Sequence, residues 1–125
     1  MSKEFVFILM IFCHIVDDYY LQGILAQMKQ KSWWKSNAPQ ELYKHDYVVA
    51  LMMHGFSWAF MIMLPIALYM SFSLSMLFCT LFIANILVHC FVDTMKANAK
   101  KINLIVDQLI HIVQIILTYA MLMLR

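Results

Sequence analysis

Long apolar stretches alternate with short polar ones along this chain, and they lack the two-residue alternation that is typical of half-buried β-strands. Four stretches of about 20 residues are long enough to cross, as helices, the roughly 30 Å hydrocarbon layer of a membrane. They cover residues 5–26, 47–70, 72–94 and 103–124. Short connections favour antiparallel neighbours. The pattern therefore predicts an all-α fold, in which a single domain over residues 1–125 forms an antiparallel bundle of four transmembrane helices.

Composition supports a membrane location. Hydrophobic residues make up 64% of the 125 residues and charged residues only 13%, which is far from the composition of a soluble domain. A short soluble chain leaves about a third of its surface in water, so it could not hide this much apolar surface. The three cysteines lie within apolar stretches and suggest no disulfide framework. The expected partner is the lipid bilayer.

The first connection, residues 29–46, is longer than the others and is rich in lysine. Trp33 and Trp34 lie among these lysines, a mixture that is typical of the lipid headgroup level. The loop has no arginine, so it makes a weak nucleic-acid patch, and no nucleic-acid partner is expected. Asn37, followed by Pro39, is predicted to cap the start of the second helix.

Lysines also predict an orientation. Most of the cations fall in the first and third connections, against two on the other side, Lys3 and Arg125. The positive-inside rule therefore places the two basic connections in the cytoplasm and both termini outside.

Three of the predicted helices each carry a histidine and an aspartate four residues apart. Such residues are offset by about 40°, so each pair shares one helix face. The pairs are His14 with Asp18, His89 with Asp93, and Asp107 with His111, and His54 supplies a fourth imidazole from the second helix. Asp17 and Gln108 lie off these faces and are expected beside the site.

These polar groups are predicted to lie at one depth, within about two turns of the basic surface in an up-and-down bundle. An aspartate at the centre of a membrane helix costs about 2.5 to 3.5 kcal/mol unless it is paired, hydrated or bound to metal. The layer therefore indicates a functional site. The alternative is a polar core in which each aspartate accepts a hydrogen bond from a histidine and the layer only fixes helix register.

Imidazole and carboxylate together suit Zn, Fe or Mn, and facing helices of bundles build sites from such pairs. The expected cofactor is one or two divalent transition-metal ions. The predicted ligands are His14, Asp18, His54, His89, Asp93, Asp107 and His111, of which Asp18, Asp93 and Asp107 are also the candidate catalytic groups. Sequence alone does not choose between one ion and two.

At these residues the chain resembles domain-of-unknown-function family 3307, small bacterial and phage membrane proteins. The resemblance rests on HIVDDYYLQ (14–22) against HxxxDxxLQ, HCFVDTMK (89–96) against HxxxDxxK, DQLIH (107–111) against DQxxH, and MHGF around His54. It implies a bacterial inner (cytoplasmic) membrane protein, assigns Asp18 rather than Asp17 to the signature, and adds Gln22, Lys96 and Gln108 as site neighbours. The pattern is also similar to membrane-bound metal-dependent hydrolase-like proteins.

The first hypothesis on function is a metal-dependent hydrolase of an amphipathic or phosphate-ester substrate. Lys96 or Lys100 would then receive an anionic headgroup. A cation or proton transporter or channel is an alternative, although it needs polar residues that continue to the far side. A non-enzymatic membrane effector or interaction protein of phage type, in which the polar layer drives assembly into a homo-oligomer, is another. Haem ligation by two histidines is disfavoured by the paired aspartates.

Overall fold

The computed structural model describes residues 1–124, and over these residues the protein is helical and without strands. The all-helical prediction is confirmed. The helices are α1 (Lys3–Val16), α2 (Leu25–Met28), α3 (Lys31–Asn37), α4 (Asp46–Tyr69), α5 (Met76–Ala97) and α6 (Leu104–Met123). A π-helical turn, Asp17–Leu21, continues α1, and a short 3₁₀ turn, Glu41–Tyr43, precedes α4.

Three helical segments are long and apolar enough to cross a membrane: Glu41–Tyr69, Met76–Ala97 and Leu104–Met123. Their outward faces carry large exposed side chains such as Phe56, Phe91 and Leu117. Exposed apolar surface of this extent is suited to lipid contact. The regular α-helix of the first predicted span is shorter, 14 residues, and is continued by the five residues of the π-helical turn.

The helix boundaries differ from the prediction where backbone conformation interrupts an apolar run. The first helix does not run to residue 26, because Gly23 adopts a left-handed conformation with φ of 52°. The third begins at Met76 rather than residue 72, because Ser71 and Phe72 also have positive φ and Ser75 then caps α5 by accepting from the Phe78 amide. Gly23, Ser71 and Phe72 lie inside apolar runs, so the hydropathy pattern extends the predicted helices into these turns.

The prediction that Asn37 caps the second helix is wrong. Asn37 is the last residue of α3, and its side-chain amide donates to the Trp33 carbonyl at 2.8 Å. The side chain therefore closes one helix instead of opening the next. The long helix α4 begins later, at Asp46.

A dry core lies between the helices on one side of the polar layer. It is built from buried apolar side chains of α1, α4, α5 and α6, including Met10, Trp58, Ile62 and Ile115. The start of α1 contacts the end of α6, where Lys3 donates to the Met123 carbonyl at 2.7 Å. The end of α1 contacts the start of α6 through His14 and Gln108. The two helices therefore run in opposite directions.

Gly55 allows α4 and α5 to approach closely. A Cβ at this position would lie 2.5 Å from the Cys90 Sγ and 3.3 Å from the Ile86 carbonyl oxygen. We expect Gly55→Ala to lower the stability of detergent-purified protein by about 1–3 kcal/mol through overpacking, measured by thermal unfolding. Adding Cys90→Ala should restore part of the loss, since it removes the nearest atom. An unchanged melting temperature for Gly55→Ala alone would contradict this packing.

Candidate metal centre

Four imidazoles and four carboxylates are buried together where α1, α4, α5 and α6 meet. The exposed fraction of each is at most 9%. The histidines come from three predicted pairs and from α4, and the carboxylates include Asp17 as well as the three predicted aspartates. The members are His14, His54, His89, His111, Asp17, Asp18, Asp93 and Asp107.

The π-helical turn places both adjacent aspartates in the interior. In a regular helix neighbouring residues point about 100° apart, and a π-turn is a local widening often found at functional sites. Asp17 accepts a hydrogen bond from the Ser57 hydroxyl at 2.5 Å, and its other oxygen lies 3.5 Å from His54 Nδ1. Asp18 Oδ1 lies 3.3 Å from His54 Nε2. The His54 ring therefore lies between the two carboxylates.

Several nitrogen and oxygen atoms of this layer have no hydrogen-bond partner within residues 1–124. They are Asp17 Oδ2, Asp107 Oδ1, His111 Nε2 and both ring nitrogens of His54 and His89. A buried polar atom without a partner costs free energy, so a set of them facing one another needs an explanation. A bound cation is one explanation, because it would accept one lone pair from each imidazole ring together with a carboxylate oxygen.

The imidazole nitrogens of His89 and His111 are spaced from the Asp93 carboxylate oxygens as ligands of one metal ion would be. His89 Nε2 lies 3.6 Å from Asp93 Oδ2, and His111 Nε2 lies 3.6 Å from Asp93 Oδ1. These distances are long for hydrogen bonds. Ligands about 2.1 Å from a tetrahedral ion are about 3.4 Å from one another. The imidazole and carboxylate atoms are therefore spaced as neighbours on one ion would be.

Two groups of three side chains can each hold a metal. One consists of Asp18, His54 and His89, and the other of His89, Asp93 and His111. Within each group, one ligand atom per residue lies within 4.8 Å of the others. His89 belongs to both groups. The donor sets, two imidazoles and one carboxylate, suit Zn, Fe or Mn.

Aromatic rings hold His89 in place. Its imidazole is stacked between Trp58, with ring centroids 4.3 Å apart, and His111, with centroids 4.2 Å apart. His111 is oriented through its other nitrogen, because Nδ1 is 3.0 Å from Gln114 Oε1. That contact directs His111 Nε2 toward the aspartates, as a hydrogen bond to the second nitrogen commonly does for metal-binding histidines.

His14 is held differently from the other three. The Trp58 indole donates to its Nδ1 at 2.8 Å, so its Nε2 carries the proton and donates to Gln108 Oε1 at 3.0 Å. Gln108 in turn donates to Asp18 and Asp107 at 3.2 and 3.0 Å. Both nitrogens of His14 are thus engaged, and this histidine is not in either group of three.

Two lysines contact the carboxylates from the basic end, which is the end of the helices where the lysine-rich first and third connections lie. Lys29 is buried and donates to Asp93 at 2.7 Å and to Gln22 at 3.0 Å. Lys96 donates to Asp107 at 2.6 Å. With neutral imidazoles, four carboxylates against two ammonium groups leave two negative charges, which one divalent cation balances.

Polar contacts continue from His111 along α5 and α6. Gln114 donates to Asn85 Oδ1 at 3.2 Å, and Asn85 donates to Thr118 at 2.8 Å. The Asn85 side-chain amide also contacts the Met63 sulfur at 3.7 Å, and the dry core begins at this methionine. Within the described residues, the buried polar chain therefore extends about two helical turns past the metal-binding groups and ends against apolar side chains.

Sequence reasoning missed Lys29, Trp58 and Ser57 as members of this centre. The sequence pattern places Lys29 in the interfacial loop. In the structure the chain turns at Gly23, and Lys29 comes back to contact Gln22, seven residues earlier. Trp58 lies four residues after His54, which is the helical spacing that places both on one face. That spacing was a usable signal.

The fold and the centre together define a helical protein with three helices long and apolar enough to span a membrane and a buried cluster of histidines and aspartates near one end. The model of the DUF3307 family, proteins of unknown function, matches residues 6–125. The chain therefore belongs to this family, as the sequence motifs indicated. Comparisons with curated proteins and with solved structures gave no match.

Proposed function

We propose that this protein spans the membrane four times and binds one or two divalent transition-metal ions in its buried His/Asp layer. The fourth span is α1 with its π-helical turn. Residues 3–21 form a helical stretch of about 28 Å at 1.5 Å per residue, close to the thickness of the hydrocarbon core. The other three spans are α4, α5 and α6.

The observation that carries the proposal is the convergence of unpartnered nitrogens of His54, His89 and His111 on carboxylate oxygens of Asp18 and Asp93 at ligand spacing. Asp18, His54 and His89 would hold one ion, or His89, Asp93 and His111 would, because His89 Nε2 faces both groups and its single lone pair binds one ion at a time. A second ion would use the members of the other group that remain. Asp107 Oδ1, 3.4 Å from His111 Nε2, is available as a further ligand. Asp17 would orient His54, and Gln108 with Trp58 would orient His14.

We infer that the basic end faces the cytoplasm of a bacterial cell, with the inner membrane as its location. Lysines of the first and third connections lie at this end, and the Trp33 and Trp34 rings of α3 pack against each other with centroids 5.0 Å apart. Such rings beside lysines suit the headgroup level. Both termini would then lie outside.

The chemistry we propose is hydrolysis of an amphipathic ester or phosphate ester. A bound Zn or Mn ion supplies Lewis acidity and lowers the pKa of a coordinated water. Asp18 is the carboxylate that lines a small cavity at the basic end, so it is placed to accept the proton. In a phosphate-ester reaction the water oxygen bonds to phosphorus, the ester P–O bond breaks, and the alcohol leaves with a proton.

The test uses purified protein reloaded with Zn²⁺ or Mn²⁺ and two chromogenic substrates, p-nitrophenyl phosphate and p-nitrophenyl octanoate. We expect one of them to be cleaved, and Asp18→Asn to reduce the rate by about 100-fold or more, as for loss of a general base. Asp46→Asn, in the first turn of α4, is the matched control and should retain the rate. No cleavage of either substrate by metal-loaded protein would refute the hydrolase proposal.

A second candidate function is passage of a divalent cation or proton, and the polar chain through Gln114, Asn85 and Thr118 favours it. Such a path would run from the metal-binding groups toward the far side of the membrane. Proteoliposomes should then take up Mn²⁺, or acidify, in a manner that Asn85→Leu blocks. Absence of any flux in the wild-type protein would exclude this candidate.

A further inference from the structure

Two cavities adjoin the metal centre and share part of their walls. A groove of about 510 Å³ lies between α1 and α6, and a smaller cavity of about 140 Å³ lies at the basic end. Tyr19 and Gln108 line both. The two spaces are therefore neighbours, with these two side chains on both walls.

The groove is apolar along most of its length. Ile11, Ile15 and Ile112 form its walls, and His14 and Gln108 lie among them as polar groups. Ile15, Tyr19 and Tyr20 are exposed, with 43%, 54% and 77% of their surface accessible, so the groove opens on the outer face of the helices. On a helix pair within a bilayer, that face meets lipid chains.

The smaller cavity is mostly polar, and two ammonium groups reach it. Lys29, Lys96, Gln22 and Asp18 line it together with the shared residues. An ammonium group has three N–H donors. Within the described residues Lys96 uses one of them, toward Asp107, and Lys29 uses two, toward Asp93 and Gln22. Donors therefore remain for an anion at this position.

Charge balance favours an anionic occupant once two divalent ions are bound. The layer carries two excess negative charges when its imidazoles are neutral, so one divalent ion neutralises it and a second makes it positive. A phosphate monoester would then meet two ammonium groups beside the centre, the arrangement that recognises phosphate oxygens. An acyl chain attached to that phosphate would extend into the groove.

Resting on the metal centre proposed above, we propose that the substrate is a membrane lipid with a terminal phosphate. It enters sideways from the bilayer between α1 and α6, with its phosphate at Lys96 and Lys29 and an acyl chain along Ile11, Ile15 and Ile112. Phosphatidic acid has this chemistry. The phosphate ester is thereby brought beside Asp18.

Native mass spectrometry of the metal-reloaded protein in micelles containing phosphatidic acid and phosphatidylcholine tests this, because one spectrum reports metal and lipid on the same chain. Wild-type protein should retain phosphatidic acid, or convert it to diacylglycerol and phosphate, in preference to phosphatidylcholine. Lys96→Ala should weaken that binding about tenfold or more, the effect of one charge-assisted hydrogen bond, and Lys96→Arg should restore it. Lys101→Ala, at an exposed lysine of the same connection, should bind as wild type does.

A bulky substitution in the groove between α1 and α6 distinguishes binding of a lipid through its acyl chain from binding of the phosphate alone. Ile15→Trp should reduce retention of phosphatidic acid while metal content is unchanged, whereas Ile8→Trp, on the same helix outside the groove, should not. Equal retention of both lipids by a metal-loaded protein, or inorganic phosphate displacing phosphatidic acid at equal concentration, would overturn the lipid site and leave the metal centre standing. Loss of metal from the wild-type protein would instead refute the centre itself.

Discussion

Replacing His89 by alanine is expected to remove the metal from both binding groups at once. His89 is the ligand that the two groups share, and its ring is stacked between Trp58 and His111. We expect metal content to fall from at least one ion per chain to less than about a tenth of an ion, since ligand loss costs more than the 10–100-fold of an outer partner. Elemental analysis of detergent-purified protein after reloading measures this.

His45→Ala is the matched control. His45 is the remaining histidine of the chain, is exposed, and precedes α4 at the end of the interfacial segment. Its loss should leave metal content unchanged. His54→Ala and His111→Ala each remove a ligand from one group and leave the other group complete, so each should retain more metal than His89→Ala. Full metal content in His89→Ala would contradict the shared-ligand arrangement.

The second large effect is expected from Lys29→Met. Lys29 reaches the buried Asp93 carboxylate, and removing one partner of a buried ion pair leaves a charge uncompensated. The free energy of unfolding of metal-free protein should fall by about 3–5 kcal/mol. Denaturant unfolding in mixed micelles, followed by circular dichroism, measures the change.

Two further measurements test whether the loss of stability comes from the Lys29–Asp93 ion pair: the addition of metal and a second substitution at Asp93. Lys29→Met should be less destabilising after metal is added, because a cation on Asp93 then replaces the lost ammonium group. Lys29→Met with Asp93→Asn should be milder than Lys29→Met alone, since no unpaired carboxylate remains. Lys35→Met, at an exposed lysine of α3, should have little effect. Equal destabilisation by Lys29→Met and Lys35→Met would exclude a buried ion pair.

The apolar pattern predicted the helical class, and α4 and α6 begin and end within a residue of the predicted spans. It misplaced helix ends where the chain turns inside an apolar run. Phe72 occupies a left-handed position, and the Asp17–Leu21 turn widens a helix that remains apolar on both sides. Hydropathy registers neither change, because both alter backbone conformation and not composition.

Helical spacing predicted that each His/Asp pair shares a face, because the two residues are four positions apart along one helical segment. Helical spacing does not predict contacts between different helices. The interior position of Asp17 depends on the π-helical turn, the engagement of His14 depends on Trp58 of α4, and Lys29 enters from a connection. Each of these depends on how separate elements pack, which a one-dimensional pattern does not encode.

The most direct test of the account is X-ray absorption at the zinc edge of wild-type protein reloaded with Zn²⁺ and washed free of excess metal. Zinc held in the His/Asp layer should have nitrogen and oxygen neighbours at about 2.0–2.1 Å together with the outer scattering of at least two imidazole rings. That scattering should disappear in whatever zinc His89→Ala retains. Zinc surrounded by oxygen alone in the wild-type protein, with no imidazole scattering, would contradict a metal centre in this layer.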